Sequence, residues 1–328
     1  MRGRAIGLGL LGLGAFVLAA ALCVRLFLEP ALVKLPLDQK ADPVAIGSGV
    51  DFFSQGELKQ YRGLDATVRQ HVKGDPTADG AGSDVAVWNF GSVMTDADGM
   101  QLDASTYRVC LDRRTAEAVD CPSDHVNYDK GVTIEGLTLT FPFGTEQKDY
   151  PLFNTTTGKA FPARFDGVEK LQGLEVYRFV QTIPETVLRE AEVPGSLVGS
   201  TKPSVTVEAV YSNERTLWVE PVSGVIVTAE EHPKAELRGP AGETGPTMLA
   251  GDFAADEKTV SAGVTRAVDS RDKINLVKTI LPLSMTGLGV LLLIVGGLLV
   301  RRRAADTGAH REDAVDVDGD QQRVPQVQ

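Results

Sequence analysis

Two uninterrupted apolar runs frame a long segment in which hydrophobic and polar residues alternate. From Ile280 to Val300 about 21 residues carry no charge, and a helix of that length, at ~1.5 Å rise per residue, crosses the ~30 Å hydrocarbon core of a bilayer. The first run, Ala5 to Val24, is also uncharged and resumes after Arg25 as Leu26, Phe27 and Leu28. An arginine at a helix end lays its stem along the apolar surface and keeps its head at the interface, so Arg25 does not forbid a span. Ala19 and Ala21 form an A-x-A site that makes a cleaved signal peptide the competing reading, but the run is longer than the apolar core of about 7–15 residues such peptides carry. The runs predict transmembrane helices over 1–28 and 279–300.

Between them the dominant period is two. Strands are expected over Ala66–Val72, Asp84–Met94, Thr106–Leu111, Val132–Phe143, Ala160–Phe165, Leu174–Gln181, Ser204–Tyr211, Thr216–Val219 and Gly224–Ala229, with Gly, Pro, Asn and Asp in nearly every gap. That punctuation indicates antiparallel hairpins and meanders rather than βαβ units. Two hairpins are well marked: 166–181 turns at Gln172-Gly173, and 215–231 turns between Pro221 and Gly224. Residues 29–49, with Pro30, Pro36 and Pro43, are expected as an extended stalk, and 50–251 as the β-rich domain. Over 252–278 the period changes. Val260, Val264, Ala267, Val268 and Ile274 fall at helical spacing, predicting an amphipathic juxtamembrane helix whose apolar face packs on the sheet. Residues 301–328 are polar and aperiodic and are expected to be disordered. The expected fold is membrane-anchored and mainly β, with two transmembrane helices flanking an antiparallel β-rich extracytoplasmic domain.

Charge sets the orientation. Arg2 and Arg4 precede the first run and Arg301, Arg302 and Arg303 follow the last. By the retention of lysine and arginine on the inner side, both termini are cytoplasmic, residues 29–278 are extracytoplasmic, and the protein belongs in the plasma membrane. The chain carries −11 overall; three arginines before residue 29 and a net −1 after residue 300 leave −13 between them. Such an acidic surface excludes nucleic acid as a partner.

Cys110 and Cys121 sit at opposite ends of a strand–turn–strand stretch, and Cys23 lies in the first apolar run. In an oxidising envelope the outer two are the natural pair, closing a loop worth about 3 kcal/mol; two buried free thiols are the alternative. Gly7, Gly9 and Gly12 match G-x-G-x-x-G, but an apolar span offers neither the strand nor the acidic residue that a dinucleotide site requires. Gly3 with Gly7, Ala15 with Ala19, and Gly289, Gly296 and Gly297 instead have the spacing that lets membrane helices approach, a basis for oligomerisation.

The four histidines are far apart in sequence, and no nucleophile elbow or zinc spacing accompanies them. No enzyme, cofactor or metal is expected. Trp88 and Phe90, Phe141 and Phe143, Tyr177 and Phe179, and Trp218 present aromatic faces at period two. Core packing is their default role, and an apolar pocket is the functional alternative.

The segment G-x-E-x-x-x-G-x-x-x-Y at 167–177, followed by L-W-V-x-P-x-x-G at 217–224, resembles the sheet of periplasmic lipoprotein carriers and their sensor relatives, in which a curved antiparallel sheet covers an apolar cavity. Together with DYPLFNTTTGKAFPARFDGVEKLQGLEVYRFVQ at 149–181 and ERTLWVEPVSGVIVTAEEH at 214–232, the whole arrangement resembles an actinobacterial family of two-span envelope proteins whose members are labelled PorA-type porins. The resemblance implies a membrane partner and either of two roles. The first is a non-enzymatic envelope protein whose β-domain binds an apolar envelope component, such as a lipid, or a partner protein. The second is a porin, channel or transport-associated subunit. An unrecognised hydrolase ranks last.

Overall fold

The computed structural model describes residues 2–312, with side chains from Ala5 to Arg301. Residues 313–328 and the side chains of Arg2, Arg4, Arg302 and Arg303 lie outside the described residues, and so do the expectations that rest on them. The chain forms two compact units, one from residues up to Leu32 and from Asn275 onward, the other from Val33 to Ile274.

The first unit is helical. It comprises α1 (Arg2–Cys23), a π-helical stretch Val24–Leu28, α2 (Glu29–Leu32), a second π-helical stretch Leu276–Ile280 and α4 (Leu281–Glu312). Residues 301–312, expected as the start of a disordered tail, continue α4; the run of arginines and alanines there favours propagation of a helix already formed. By length and composition two helical stretches could cross a membrane, Ala5–Leu32 and Glu257–Arg301. Leucines, isoleucines and phenylalanines such as Ile6, Leu13, Phe16, Leu288, Leu291 and Ile294 face outward and are exposed.

Helices α1 and α4 meet through glycines. A Cβ on Gly7 would lie 3.1 Å from the Gly296 carbonyl oxygen, and one on Gly14 would lie 2.9 Å from that of Gly289. Such backbone approach gives van der Waals contact between helices without burying polar groups. Ala15 and Ala19, expected on this contact, are exposed, and Gly14 takes their place one residue earlier.

The second unit is a curled antiparallel sheet with one helix. Its strands are β1 (Lys40–Ala41), β2 (Val44–Ser54), β3 (Lys59–Gly74), β4 (Val85–Asp96), β5 (Gln101–Asp112), β6 (His125–Val126), β7 (Tyr150–Asn154), β8 (Lys159–Leu171), β9 (Leu174–Pro194), β10 (Ser204–Val219), β11 (Ile226–Glu231), β12 (Lys234–Arg238) and β13 (Thr244–Ala255), followed by α3 (Glu257–Asn275). The main order is β6-β5-β4-β3-β2-β13-β11-β10-β9-β8-β7, with β1 against β3 and β12 against β10 and β13. Trp88 and Val109 from one end of that order share a buried cluster with Leu152, Phe179 and Leu217 from the other. The sheet is therefore curled until its two ends close on a common core, as accumulated strand twist allows.

Local chemistry explains the turns. Gln172 and Gly173 have φ of 48° and 85°, the pair of positive values that a tight hairpin between Leu171 and Leu174 demands. At the β10–β11 reversal the Glu220 side chain is buried and its carboxylate accepts from the Val222 and Ser223 backbone N–H groups. That ties the turn from within and leaves the buried charge hydrogen-bonded.

Three expected boundaries are corrected. Residues 29–49 do not form an extended stalk: they contain α2, β1 and the start of β2, and Leu35 is buried in the main core. Each proline there removes only its own ladder donor, so the alternation beginning at Val44 still pairs with β3. Val132–Phe143 is not a strand. It threads through the core with Ile134, Leu137 and Phe141 buried, and a parallel bridge from Leu137 to Leu152 and single backbone hydrogen bonds to Ala118 and Gly224 take the place of a ladder. Gly136, at φ 74° and close against the Pro151 carbonyl, interrupts it. The helix expected over 252–278 begins at Glu257, because Asp252–Ala255 belong to β13. Asp256 accepts the Thr259 N–H at 2.7 Å, as an N-cap carboxylate does.

Cys110 and Cys121 are disulfide-bonded with Cα atoms 6.1 Å apart, and Cys110 is wholly buried in β5. The arm leading to Cys121 is held only by a Leu111–Ala118 bridge and a few backbone hydrogen bonds, so the disulfide replaces a second strand of the expected hairpin. Replacing both cysteines by alanine is expected to lower unfolding stability by about 3 kcal/mol, the loop-closure value for this spacing. The denaturant midpoint of the full chain, followed by fluorescence of its two tryptophans, checks this.

Candidate functional site: a cavity inside the curled sheet

Because the sheet curls, inward positions of distant strands converge. On β4, Trp88, Phe90, Ser92 and Met94 follow one another at period two along the wall of a cavity of about 470 Å³. Val68, Gln70 and Val72 of β3, Asp103, Ser105 and Tyr107 of β5, Tyr211, Arg215 and Leu217 of β10, Ile226 to Ala229 and Glu231 of β11, and Leu249 and Phe253 of β13 add to the sheet side. The irregular segment 138–143 contributes Thr138, Leu139, Thr140 and Phe143. Thr259, Ala262, Arg266 and Ser270 line the cavity from α3 at spacings of three and four, which is one helix face. Volumes of about 300–1,000 Å³ are typical of small-molecule sites, as are apolar walls with a few fixed polar groups.

The neighbouring stripe of α3 holds it to the sheet. Val264, Ala267 and Val268 pack with Leu174, Val176 and Val227. The expectation that this helix packs its apolar face on the sheet is met.

The seven aromatic residues singled out in the sequence divide. Trp88, Phe90 and Phe143 line the cavity. Phe141 and Phe179 are fully buried in the core, their rings 4.8 Å apart, and Tyr177 packs at that core's edge. Trp218 lies under α3 with Leu174 and Val176, donating its indole N–H to Glu169 at 2.8 Å. Period two places a pair on one strand face, but which face opens on the cavity depends on how the sheet curls. Trp88 donates to the Pro36 carbonyl at 3.0 Å, and Phe90 stacks on Tyr107 with centroids 4.9 Å apart.

Two arginines, Arg215 and Arg266, stand in the wall with the carboxyl groups of Asp42, Asp103 and Glu231, and neither arginine was singled out. Arg215 is paired: its Nε–H donates to Glu231 at 2.9 Å and one Nη–H to Gln181 at 3.4 Å. Burial alone would draw its pKa down, but Glu231, Tyr211 and Tyr107 more than offset that and hold it above the usual arginine value. Burial also pushes the Tyr107 and Tyr211 phenols up, so both remain neutral hydroxyls. The available signal for Arg215 was its place in the inward period with Tyr211 and Leu217, where an arginine is out of pattern. Three histidines lie in separate places: His71 beside Asp42, His232 bonded to Asp252 at 2.6 Å, and His125 stacked on Tyr128. His310 is outside the described side chains.

A family model described as Porin PorA matches residues 6–298, from the first apolar helix through the curled sheet to the last. The chain belongs to the PorA porin family. Porin PorA of Corynebacterium amycolatum is 24% identical over 376 aligned residues, covering 89% of this chain and 97% of that protein. Porin PorA of Corynebacterium resistens (strain DSM 45100 / JCM 12819 / GTC 2026 / SICGH 158) is 23% identical over 408, covering 91% and 97%. Membership of the PorA family and two apolar helices flanking a β domain together mark a membrane protein of the cell envelope. The matched span includes both helices, so they belong to the family's pattern along with the sheet.

Proposed function

We propose that this PorA-family protein is a non-enzymatic envelope protein whose β domain, outside the plasma membrane, holds an apolar envelope component in its cavity. In this reading it crosses the membrane twice, with both termini cytoplasmic and residues 29–278 extracytoplasmic. The exposed small residues of α1, Ala15 and Ala19, offer a contact between copies. The observation that carries the reading is the cavity itself: the side chains of the sheet fill its inner face only in part and leave about 470 Å³ open beside the core.

Mass spectrometry of lipids retained by the full chain, extracted and purified in amphipol, tests it. About one lipid per chain is expected, falling severalfold when Ser92→Trp fills the wall. A second reading, a channel, is favoured by the porin name of the family and of both relatives. Stepwise conductance in planar bilayers that Ser92→Trp leaves unchanged, with no lipid retained, would displace the first reading in its favour.

A further inference from the structure

Arg266 is the one wall arginine without an acidic partner. Among the described residues it forms no ion pair, and its only hydrogen bond is from Nη2–H to the Ile226 carbonyl at 3.3 Å. A guanidinium has five N–H donors, and a carboxylate or phosphate fits two of them side by side. Burial draws its pKa below the usual arginine value, the mark of a charge that is desolvated without compensation. Arg215, the other cation of the wall, already holds Glu231.

A second group points the same way. Thr138 is 8% exposed and lines the same cavity, and its Oγ1 is buried with no hydrogen-bond partner. An unpaired buried hydroxyl is destabilising by about 1–3 kcal/mol, so one that persists in a cavity wall calls for a partner from outside the chain. The remaining wall mixes aromatic and aliphatic side chains, among them Trp88, Phe90, Met94 and Leu217, with hydroxyl and amide groups and the carboxyl groups of Asp42, Asp103 and Glu231, of which Asp42 is held by His71 and Glu231 by Arg215.

We propose that the cavity takes a single-chain amphiphile whose anionic oxygen head is received by Arg266, with its hydrocarbon tail along the β4 and β10 side chains and the Thr138 hydroxyl available to its polar end. The inference rests on the lipid-holding reading above and adds the ligand's charge to it.

The test measures binding of cis-parinaric acid and of its methyl ester to the full chain in amphipol, by energy transfer from tryptophan. The wild type should prefer the acid about tenfold, which a charge-assisted hydrogen bond of about 1.4 kcal/mol provides. Arg266→Gln should abolish that preference by weakening the acid while leaving the ester unchanged, and Arg266→Lys should restore part of it. Retained ester binding shows that the variants are folded. Thr138→Val should weaken acid and ester binding by a smaller factor. Displacement of the bound acid by dodecanoate or by dodecyl phosphate supports the proposal and identifies the head; equal displacement by dodecanol overturns it. If acid and ester bind the wild type equally, or Arg266→Gln keeps the preference, the anionic head is wrong and the lipid-holding reading survives. If neither binds, both fall.

Discussion

Phe179→Ala is expected to lower unfolding stability by about 4 kcal/mol, within the range for deleting a buried aromatic ring. Phe179 has no exposed surface, and its ring meets Phe141 at 4.8 Å, Phe165 at 5.8 Å and Tyr150 at 5.9 Å. Aromatic contacts of this kind add about 0.5–1.5 kcal/mol each to area burial. The cavity left behind would be enclosed by Leu152, Leu217 and Phe141, and β9 and β10, which carry Phe179 and Leu217, are each paired on both sides and resist collapse into it. Phe90→Ala is the informative comparison. That ring is half-buried on the wall of a space that is already open, so its removal creates less new void and should lower stability by about 1–2 kcal/mol. Denaturant midpoints of the two variants, read by tryptophan fluorescence, separate the roles. Equal losses would mean that Phe90 sits in a filled core and that the cavity is closed.

The contrast between those two phenylalanines shows where sequence reasoning stops. Period two identified β4, β8, β9 and β11, and the Gln172-Gly173 dipeptide marked its hairpin, because these depend on local sterics and on neighbours a few residues away. The pairing of β2 with β13 joins Ala45 to Ala255, and no local signal announces a partner so distant. Strand β13 itself is disguised by Gly245, Pro246 and Gly251. Gly251 lies against Val50, and the Phe253 ring occupies the place a side chain at Gly47 would fill, so the absent side chains that weaken the strand pattern are what let these strands pack. The cavity was legible only as an anomaly. An arginine in the inward period of β10 and another between the apolar positions of α3 break the pattern of a filled core, and their meaning depends on a curl that brings residues 88 and 266 to the same wall.

Gly263 controls whether that wall exists on the helical side. A Cβ at this position would lie 2.2 Å from the Val227 carbonyl oxygen of β11, a backbone atom already fixed in the sheet. In a free helix, Gly→Ala is stabilising by about 1 kcal/mol. Here the added carbon cannot be placed without lifting α3, and overpacking of this kind is destabilising by about 1–3 kcal/mol. Gly263→Ala is therefore expected to destabilise rather than stabilise, and Gly263→Val, which adds β-branching, to lower stability by upward of about 3 kcal/mol. Thr265→Ala, on an exposed position two residues away, should be nearly neutral. Lifting α3 removes the contacts of Val264 and Ala267 with Val227 and carries Arg266 away from the cavity with them. Amide exchange along Glu257–Asn275 should accelerate, and the preference for an acidic over an esterified chain should fall together with stability, unlike the selective loss expected of Arg266→Gln. A Gly263→Ala variant more stable than the wild type would show that α3 is not seated on β11. The residues at 259, 262, 266 and 270 would then be held to the cavity only by long-range hydrogen bonds such as those of Thr259 with Val44 and of Arg266 with Ile226, and not by the packing of the helix.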